Sequence, residues 1–345
     1  MKTSKPPFTI TPKTLDLVAA ISEKIGQMAS VEHNIDLRLR KANRLKSIQS
    51  SLAIENNSLT LGQVTDIIEG KKVLGNPREI QEVKNAHLVY EKLLSFNPFS
   101  VKDFLNAHKI LTAGLVKQSG IFRTGDVGVF DGKGNAVHIG ARQQFVHSLI
   151  SDLFAWGKAD TIHPLVKSSV FHFEIETIHP FQDGNGRMGR LWQTLILSQH
   201  NELFQWLPVE TLVYKNQSAY YNALEQSRKQ NSEATLFVEF MLMRILETLQ
   251  EYAVHNFTDK ITDKITDKLS ATDKAFINQI GNYLLTNGYI DNYNAGLLSG
   301  KKTETVKKQF AKLVETGLLV AQGERKTRKY FLATKSLKTE PLTNL

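Results

Sequence analysis

The sequence predicts a mainly α-helical protein, with one β-hairpin set into its helical core and a small winged helix-turn-helix module near its C-terminal end. Three observations carry that expectation. Most long segments repeat apolar residues at spacings of three and four, which gives a helix one buried face. Few runs of strand character lie outside residues 127–139 and 318–332. A short repeat after residue 255 separates two regions of different rhythm. With 345 residues, two or three domains are expected, and a hydrophobic content of 41% suffices for a core.

Residues 1–100 read as an N-terminal helical region. In it, Leu45, Ile48, Leu52 and Ile54 lie at helical spacing, and Asn56-Asn57 suits a left-handed helix end. Residues 101–250 read as the core. There Gly120-Ile121-Phe122-Arg123-Thr124-Gly125-Asp126 leads into Val127-Gly128-Val129 and on to Val137-His138-Ile139-Gly140, with Gly132, Gly134 and Asn135 supplying a turn. This predicts a hairpin over 127–139. Val170, Phe171, Phe173, Ile175 and Ile178 predict a largely buried helix. Pro180 forbids its simple continuation and pushes His179 toward an extended conformation. Leu191, Trp192, Leu195, Ile196 and Leu197 predict the next apolar helix, and Tyr220-Tyr221 with Leu224 place an aromatic pair on another.

Between the two apolar helices lies His179-Pro180-Phe181-Gln182-Asp183-Gly184-Asn185-Gly186-Arg187-Met188-Gly189-Arg190. A turn rich in small residues that opens into a helix presents free N–H groups and a positive dipole end, which is an anion site. Gly184 and Gly186 let the backbone approach a phosphate closely and adopt positive φ. Arg187 and Arg190 are three apart and can point from one side of the first turn toward one polyphosphate. Asp183 suits Mg²⁺, which commonly takes one or two carboxylates together with phosphate oxygens and water. His179, with an ordinary pKa of about 6.5, can accept a proton at neutral pH. The run therefore has what is needed to hold a nucleoside triphosphate and activate a hydroxyl.

Position for position, this run resembles the signature HPFx(D/E)GNGRxxR of the Fic family, whose members mostly transfer AMP from ATP to a protein hydroxyl. The resemblance spans about residues 30 to 240. It implies that His179 is the base, that Asp183 ligates Mg²⁺, that Gly184, Asn185, Gly186 and Arg187 hold the α- and β-phosphates, and that Arg190 grips the γ-phosphate. The intact Gly184 and Gly186 argue against the Doc-like subgroup that transfers phosphate. Ser51-x-x-x-Glu55-Asn56 resembles the inhibitory motif (S/T)xxxE(G/N) of the same family, which implies that Glu55 pairs with Arg190 and blocks placement of the γ-phosphate. In several relatives that Glu also serves AMP removal. The hairpin, as Val127, Gly128, Val129, Val137, His138 and Ile139, corresponds to the flap that docks a target segment. Tyr220 and Tyr221 resemble the adenine side of the pocket, but Arg228 stands where many relatives have Asn.

From Phe257 the chain repeats Thr-Asp-Lys-Ile, keeping Phe257, Ile261, Ile265 and Leu269 near one helical face, so residues 251–271 are expected to be a helical linker. Residues 272–335 then read as three helices and a two-stranded wing: Phe276 to Leu284, Tyr293 to Leu298, Thr303 to Thr316, then 318–320 and 329–332 around Gly323-Glu324-Arg325-Lys326-Thr327-Arg328. Lys301, Lys302, Lys307 and Lys308 lie on or beside the third helix, a footprint compatible with DNA and equally with protein docking. Residues 336–345 are a tail.

The chain has no Cys, which removes disulfides, thiol catalysis and Cys-ligated zinc. Neither a Walker A pattern nor HExxH is present, and no stretch approaches the roughly 18 apolar residues of a membrane span. A formal net charge of +9 does not by itself select a partner. The expectation is an autoinhibited protein adenylyltransferase using ATP and Mg²⁺ in the cytoplasm. Its partners would be a protein with a Ser, Thr or Tyr hydroxyl, or the chain itself. DNA and a second copy in a homodimer are further candidates, and no membrane partner is expected. A de-AMPylating or phosphotransferring enzyme and a nucleotide-sensing DNA-binding regulator are the alternatives.

Overall fold

The computed structural model describes residues 5–29, 37–130, 136–265, 269–324 and 327–333. The hairpin-turn residues Gly132, Gly134 and Asn135, the repeat residues Thr266 to Lys268, the wing residues Arg325 and Lys326, and the tail 336–345 lie outside them. The chain divides into two units, Met1–Glu23 with Asn34–Thr248, and Lys24–His33 with Leu249–Leu345.

In chain order, the first unit draws on α1 (Pro12–Ala29), α2 (Leu37–Ile54), α3 (Leu61–Ile68), α4 (Pro77–Glu91), α5 (Val101–Leu111), the hairpin β1 (Gly128–Phe130) and β2 (Ala136–Ile139), α6 (Gln143–Ala159), α7 (Pro164–Ile178), α8 (Asn185–His200), α9 (Val209–Lys215), α10 (Gln217–Lys229) and α11 (Thr235–Ile265). The Thr-Asp-Lys-Ile repeat up to Ile265 is thus the end of a helix that starts at Thr235. No helix among the described residues is long and apolar enough to cross a membrane.

The centre of this unit is the pair α7 and α8. Pro164 starts α7, a position where its missing N–H costs nothing, and His163 Nδ1 accepts from Leu165 N at 3.2 Å. Beyond that, Leu165, Val170, Phe171, Phe173 and Ile175 are fully buried, and buried Ser168, Ser169, His172 and Glu176 lie among them, so α7 is enclosed on every side and runs through the middle. The two helices pack closely because Gly189 of α8 has no side chain: a Cβ there would lie 2.6 Å from His172 Cδ2. Phe104, Phe154, Phe171, Phe181 and Trp192 form a tilted and edge-on ring cluster, with Phe104 5.1 Å from Phe181 and 5.0 Å from Trp192 between centroids. Each such ring, fully buried, contributes about 1.5–3 kcal/mol. Because Phe181 belongs to the loop between α7 and α8, the cluster anchors that loop to the core.

The second unit contains α12 (Ala271–Asn287), β3 (Tyr289–Asp291), α13 (Asn292–Ser299), α14 (Thr303–Glu315), β4 (Leu319–Gln322) and β5 (Lys329–Leu332). Ser270 and Asp273 form a capping box that starts α12. Phe276, Ile280, Ile290, Val306, Phe310 and Leu313 build its core, and Phe310 stacks on Tyr330 at 3.9 Å. The strands form one antiparallel sheet in the order β3-β5-β4. β3 is absent from the reading of the sequence, since Tyr289-Ile290-Asp291 is too short to show an alternating pattern. The left-handed Gly288 (φ 74°) turns the chain directly from α12 into it.

Gly157 in α6 meets α7 closely: a Cβ there would lie 2.3 Å from Phe171 Cε2 and 2.9 Å from Phe99 Cδ1. Helix propensity alone favours Gly157→Ala by about 1 kcal/mol, whereas overpacking costs about 1–3 kcal/mol. With rings on both sides the overpacking wins, so the variant should unfold at lower urea concentration than wild type. An unchanged or higher midpoint would mean that α6 can shift away from Phe171.

Candidate active site

α7 ends inside the protein, so its last carbonyls need partners from the protein itself. Ile175 O accepts the His179 N–H at 2.9 Å. Arg228 Nη2 donates to Glu176 O at 3.0 Å, and His138 Nε2 donates to Thr177 O at 2.9 Å. Ile178 O accepts from Ala141 N at 3.2 Å and from Arg123 Nη2 at 3.4 Å. Arg123, only 2% exposed, also donates to His179 O at 2.7 Å, to Gly125 O at 2.7 Å and to Ala141 O. Three separate segments thus converge on one helix end and fix where His179 stands.

His179 itself is left-handed, at φ 54° and ψ 59°, which corrects the expectation of an extended residue. Proline disfavours the right-handed helical region for the residue before it, and the left-handed region is the other way out. A non-glycine residue there costs about 1–2 kcal/mol, and the Arg123 bonds on both sides of the turn offset it. Nδ1 of His179 lies 3.3 Å from Glu176 O. A carbonyl only accepts, so Nδ1 carries the proton and Nε2 is left with its lone pair. Burial lowers the His179 pKa, with Arg228 and Arg123 adding to this and Glu176 opposing it. The imidazole is therefore a neutral proton acceptor at neutral pH.

The loop after it is a cradle open to an anion, because it ends in the unladdered N–H groups of a helix start. Gly184 has φ 87°, as a residue free of Cβ can. Gly186 lies in the first turn of α8 without positive φ; what matters there is close approach, not backbone freedom. The first intrahelical bond runs from Met188 N to Gly184 O at 2.9 Å, so the N–H groups of Asn185, Gly186 and Arg187 precede the helix ladder. The Asn185 side chain is not available to a phosphate: it accepts from Phe181 N and donates to Phe181 O, both at 2.9 Å, and is buried. Its role in the structure is to close the loop.

His108, unremarked in the sequence, closes the loop from α5. Its Nδ1 accepts from Gly120 N at 3.0 Å, so its Nε2 donates to Asp183 O at 3.0 Å, and its ring stacks on Phe181 at 3.6 Å. Burial pushes its pKa down to about 4.

Charges around the cradle fall into two groups, so Arg187 and Arg190 do not share one acceptor. Arg187 donates to Asp183 Oδ1 at 3.1 Å and approaches Glu82 at 3.4 Å. Arg78, from α4, donates to Asp183 Oδ2 at 2.9 Å. Arg187 Nε is buried without a partner among the described residues. An orphaned guanidinium N–H beside the cradle, together with a half-exposed carboxylate, fits a Mg²⁺-bearing polyphosphate. No cluster of three or more His, Cys, Asp or Glu exists among the described residues, so phosphate and water would complete such a metal's shell.

Arg190 belongs to the second group. Its Nε donates to Ser51 Oγ at 3.1 Å, and its Nη2 donates to Ser51 O at 2.9 Å and to Glu55 Oε1 at 2.7 Å. Burial works against the charge of this fully enclosed guanidinium, but Glu55, with Glu176 nearby, outweighs it and raises the pKa above its ordinary value. Glu55 is placed by the end of α2. Asn56 is left-handed at φ 66°, Asn57 N donates to Leu52 O at 3.1 Å, and Asn56 N donates to Ala53 O at 3.0 Å. That is a Schellman closure with Glu55 at the cap position. Gln217 and Tyr221 both donate to Ile54 O, at 2.8 and 3.1 Å, and hold the same turn from α10. The result is that Glu55 Oε1 would lie 2.3 Å from a Cβ on Gly186, directly over the cradle.

Tyr220 does not face a pocket. It is fully buried and bonded to His172 at 2.9 Å and to Glu176 at 3.0 Å, which removes it from any adenine wall; Tyr221 is the exposed member of the pair. In the hairpin, Gly128 pairs with Ile139 and Val129 with His138, while Val127 O accepts from Gly140 N at 3.1 Å just outside the strand; Val137 lies in β2. Thus His138 ties the hairpin to the helix end that carries His179, their rings 5.9 Å apart. Glu176, three residues before His179, could have been noticed as one turn away on the same helix; Arg78, Glu82 and His108 carried no local signal.

A model of the Fic/DOC family matches residues 98–197. Among curated proteins, the chain is 27% identical over 261 residues to protein adenylyltransferase fic-1 of Caenorhabditis elegans, covering 70% of this chain and 49% of that one. It is 26% identical over 255 residues to protein adenylyltransferase Fic of Drosophila mojavensis, covering 68% and 47%. The chain spans about half the length of these curated relatives. A crystal structure of a Fic family protein from Desulfovibrio desulfuricans superposes with a TM-score of 0.70 at 39% identity, over 95% of this chain and 98% of that one. A fragment of C. elegans Fic-1 gives 0.56 at 20% identity, over 72% and 76%, a likeness of fold.

Burial lowers the pKa of His172, beneath the cradle, to about 3 and that of His138 to about 4. In the unfolded chain each would titrate near 6.5. Between those values the unfolded state binds more protons, so stability is complete above about pH 6.5 and falls as the pH drops toward 4. For His172 alone the loss between pH 7 and pH 5 should be about 2 kcal/mol. Urea denaturation at the two pH values measures it, and in His172→Gln that part of the pH dependence should vanish.

Proposed function

The chain belongs to the Fic/DOC family, and we propose that it is a protein adenylyltransferase resting in an autoinhibited state. The observation that carries this is the placement of the Glu55 carboxylate, bonded to Arg190 at 2.7 Å and seated over the side-chain-free face of Gly186. The curated relatives bear the name protein adenylyltransferase, which supports ATP as donor and a protein as acceptor.

In the reaction, a Ser, Thr or Tyr hydroxyl of a target, or of this chain, loses its proton to His179 Nε2. Its oxygen forms a bond to the α-phosphorus as the bond to the bridging oxygen breaks, and pyrophosphate leaves with that electron pair. The unladdered N–H groups at the start of α8 and the free Arg187 Nε hold the phosphates where negative charge gathers. Asp183 would hold Mg²⁺, which neutralises phosphate charge when bound. The β1–β2 hairpin offers backbone for strand addition to an extended target segment, next to the base to which His138 ties it. Arg190 is engaged by Glu55 and Ser51 in the resting state, so the terminal phosphate meets a carboxylate where it needs a cation.

The test is label transfer from ATP with Mg²⁺ and cell lysate. Glu55→Gly should raise protein-bound α-phosphate label by roughly tenfold or more, equivalent to about 1.4 kcal/mol of released competition. His179→Ala should abolish it. Equal labelling by wild type and Glu55→Gly rejects the inhibitory role, and label arriving from the γ-phosphate would mean phosphate transfer.

A further inference from the structure

We propose that the second unit binds double-stranded DNA through the outward face of α14. The inference is independent of the catalytic reading.

α13 is closed by Gly300 in the left-handed conformation (φ 64°), and Lys302 is already the N-cap of α14. Two helices joined by a turn of residues 300–302 that contains a left-handed glycine make a helix-turn-helix, whose second helix is the one such units insert into a major groove. α14 buries Val306, Gln309, Phe310 and Leu313 against the core of the unit, so one side is committed to folding. On the other sides Lys302, Lys307 and Lys308 are exposed and Lys301 is half-buried.

No acid or hydrogen-bond partner of any of these four lysines is present among the described residues. The contrast with Lys312 of the same helix is informative: its ammonium is engaged by Asp273, in the capping box of α12. One lysine of α14 therefore stabilises the fold, and four charges on and before the helix do not. Such an array gains most from a polyanion, where each neutralised phosphate releases a condensed counterion.

The β4–β5 hairpin adds exposed Arg328 in its turn and Lys329 at the start of β5, the latter 3.7 Å from the centre of the Tyr289 ring. An α-helix such as α14, about 10–12 Å across with its side chains, fits the roughly 12 Å width of a major groove. Glu304 shares the outward face one turn before Lys307 and Lys308 and forms no ion pair with either among the described residues. A carboxylate there repels phosphate but accepts from a cytosine amino group, which points the start of α14 at base edges and its lysines at the backbone. A protein partner is the competing class; α13, which exposes Tyr293 and Leu297, has the composition for it.

The test uses the full chain and a labelled mixed-sequence duplex of about 20 base pairs, read by fluorescence anisotropy between 50 and 200 mM salt. Wild type should bind, with affinity falling steeply with salt. Lys307→Glu with Lys308→Glu should weaken binding tenfold or more and flatten the plot of log affinity against log salt by about 0.9 for each phosphate that is no longer neutralised. A control pair with the same change of charge, Lys102→Glu with Lys158→Glu on the first unit, should stay within about threefold of wild type, and the thermal melts of both pairs should match it. Absence of wild-type binding at 50 mM salt overturns the proposal and leaves the face to a protein. Equal losses of affinity in the two pairs overturn it as well, because net charge alone would then explain the binding.

Discussion

The first unit depends on one constraint: α7 ends among buried residues, and the carbonyls of its last turn find their partners within the protein. Each unpaired carbonyl would cost on the order of 1–3 kcal/mol. The protein meets that demand with Arg123 from the segment before the hairpin, His138 from β2 and Arg228 from α10. Satisfying the helix end and building the site are thus one event. The donors that close α7 also hold His179 in a left-handed turn, orient its ring through Glu176 O, and draw the hairpin to His179. Two of them are cations, which together with burial keep the imidazole neutral.

A second layer of order follows from charge. Each motif arginine is held by an acid from a distant helix, Arg187 by Glu82 of α4 and Arg190 by Glu55 of α2. Buried guanidiniums are tolerable only with such partners. On the proposed reading, an incoming polyphosphate brings its own negative charge and would replace these acids without leaving the arginines uncompensated.

The sequence showed the helix-loop-helix around His179, the left-handed closure at Asn56 and the hairpin, because each is written in neighbouring residues: a proline after a histidine, an asparagine pair after an apolar face, glycines between short apolar runs. It also pointed to helix-turn-helix character near the end, though β3 was too brief to register. Interactions joining segments far apart were not legible. Arg78 and Asp183 are 105 positions apart, and His108 and Asp183 are 75 apart; no period or spacing connects them. Tyr220 misled for a related reason. An aromatic residue on a helix face reads alike whether it meets a ligand or, as here, a buried histidine and glutamate.

Gly186 has a consequence that reaches beyond the protein's interior. The space left by its missing side chain is where Glu55 Oε1 sits, and on the proposed reading a phosphate would approach the same spot. Two groups that compete for one pocket of a few ångströms exclude each other by volume as well as by charge. Mobile ions screen charge over about 8 Å at physiological ionic strength, but they do not screen overlap. On the proposed reading, added salt alone would therefore leave the exclusion by overlap in place.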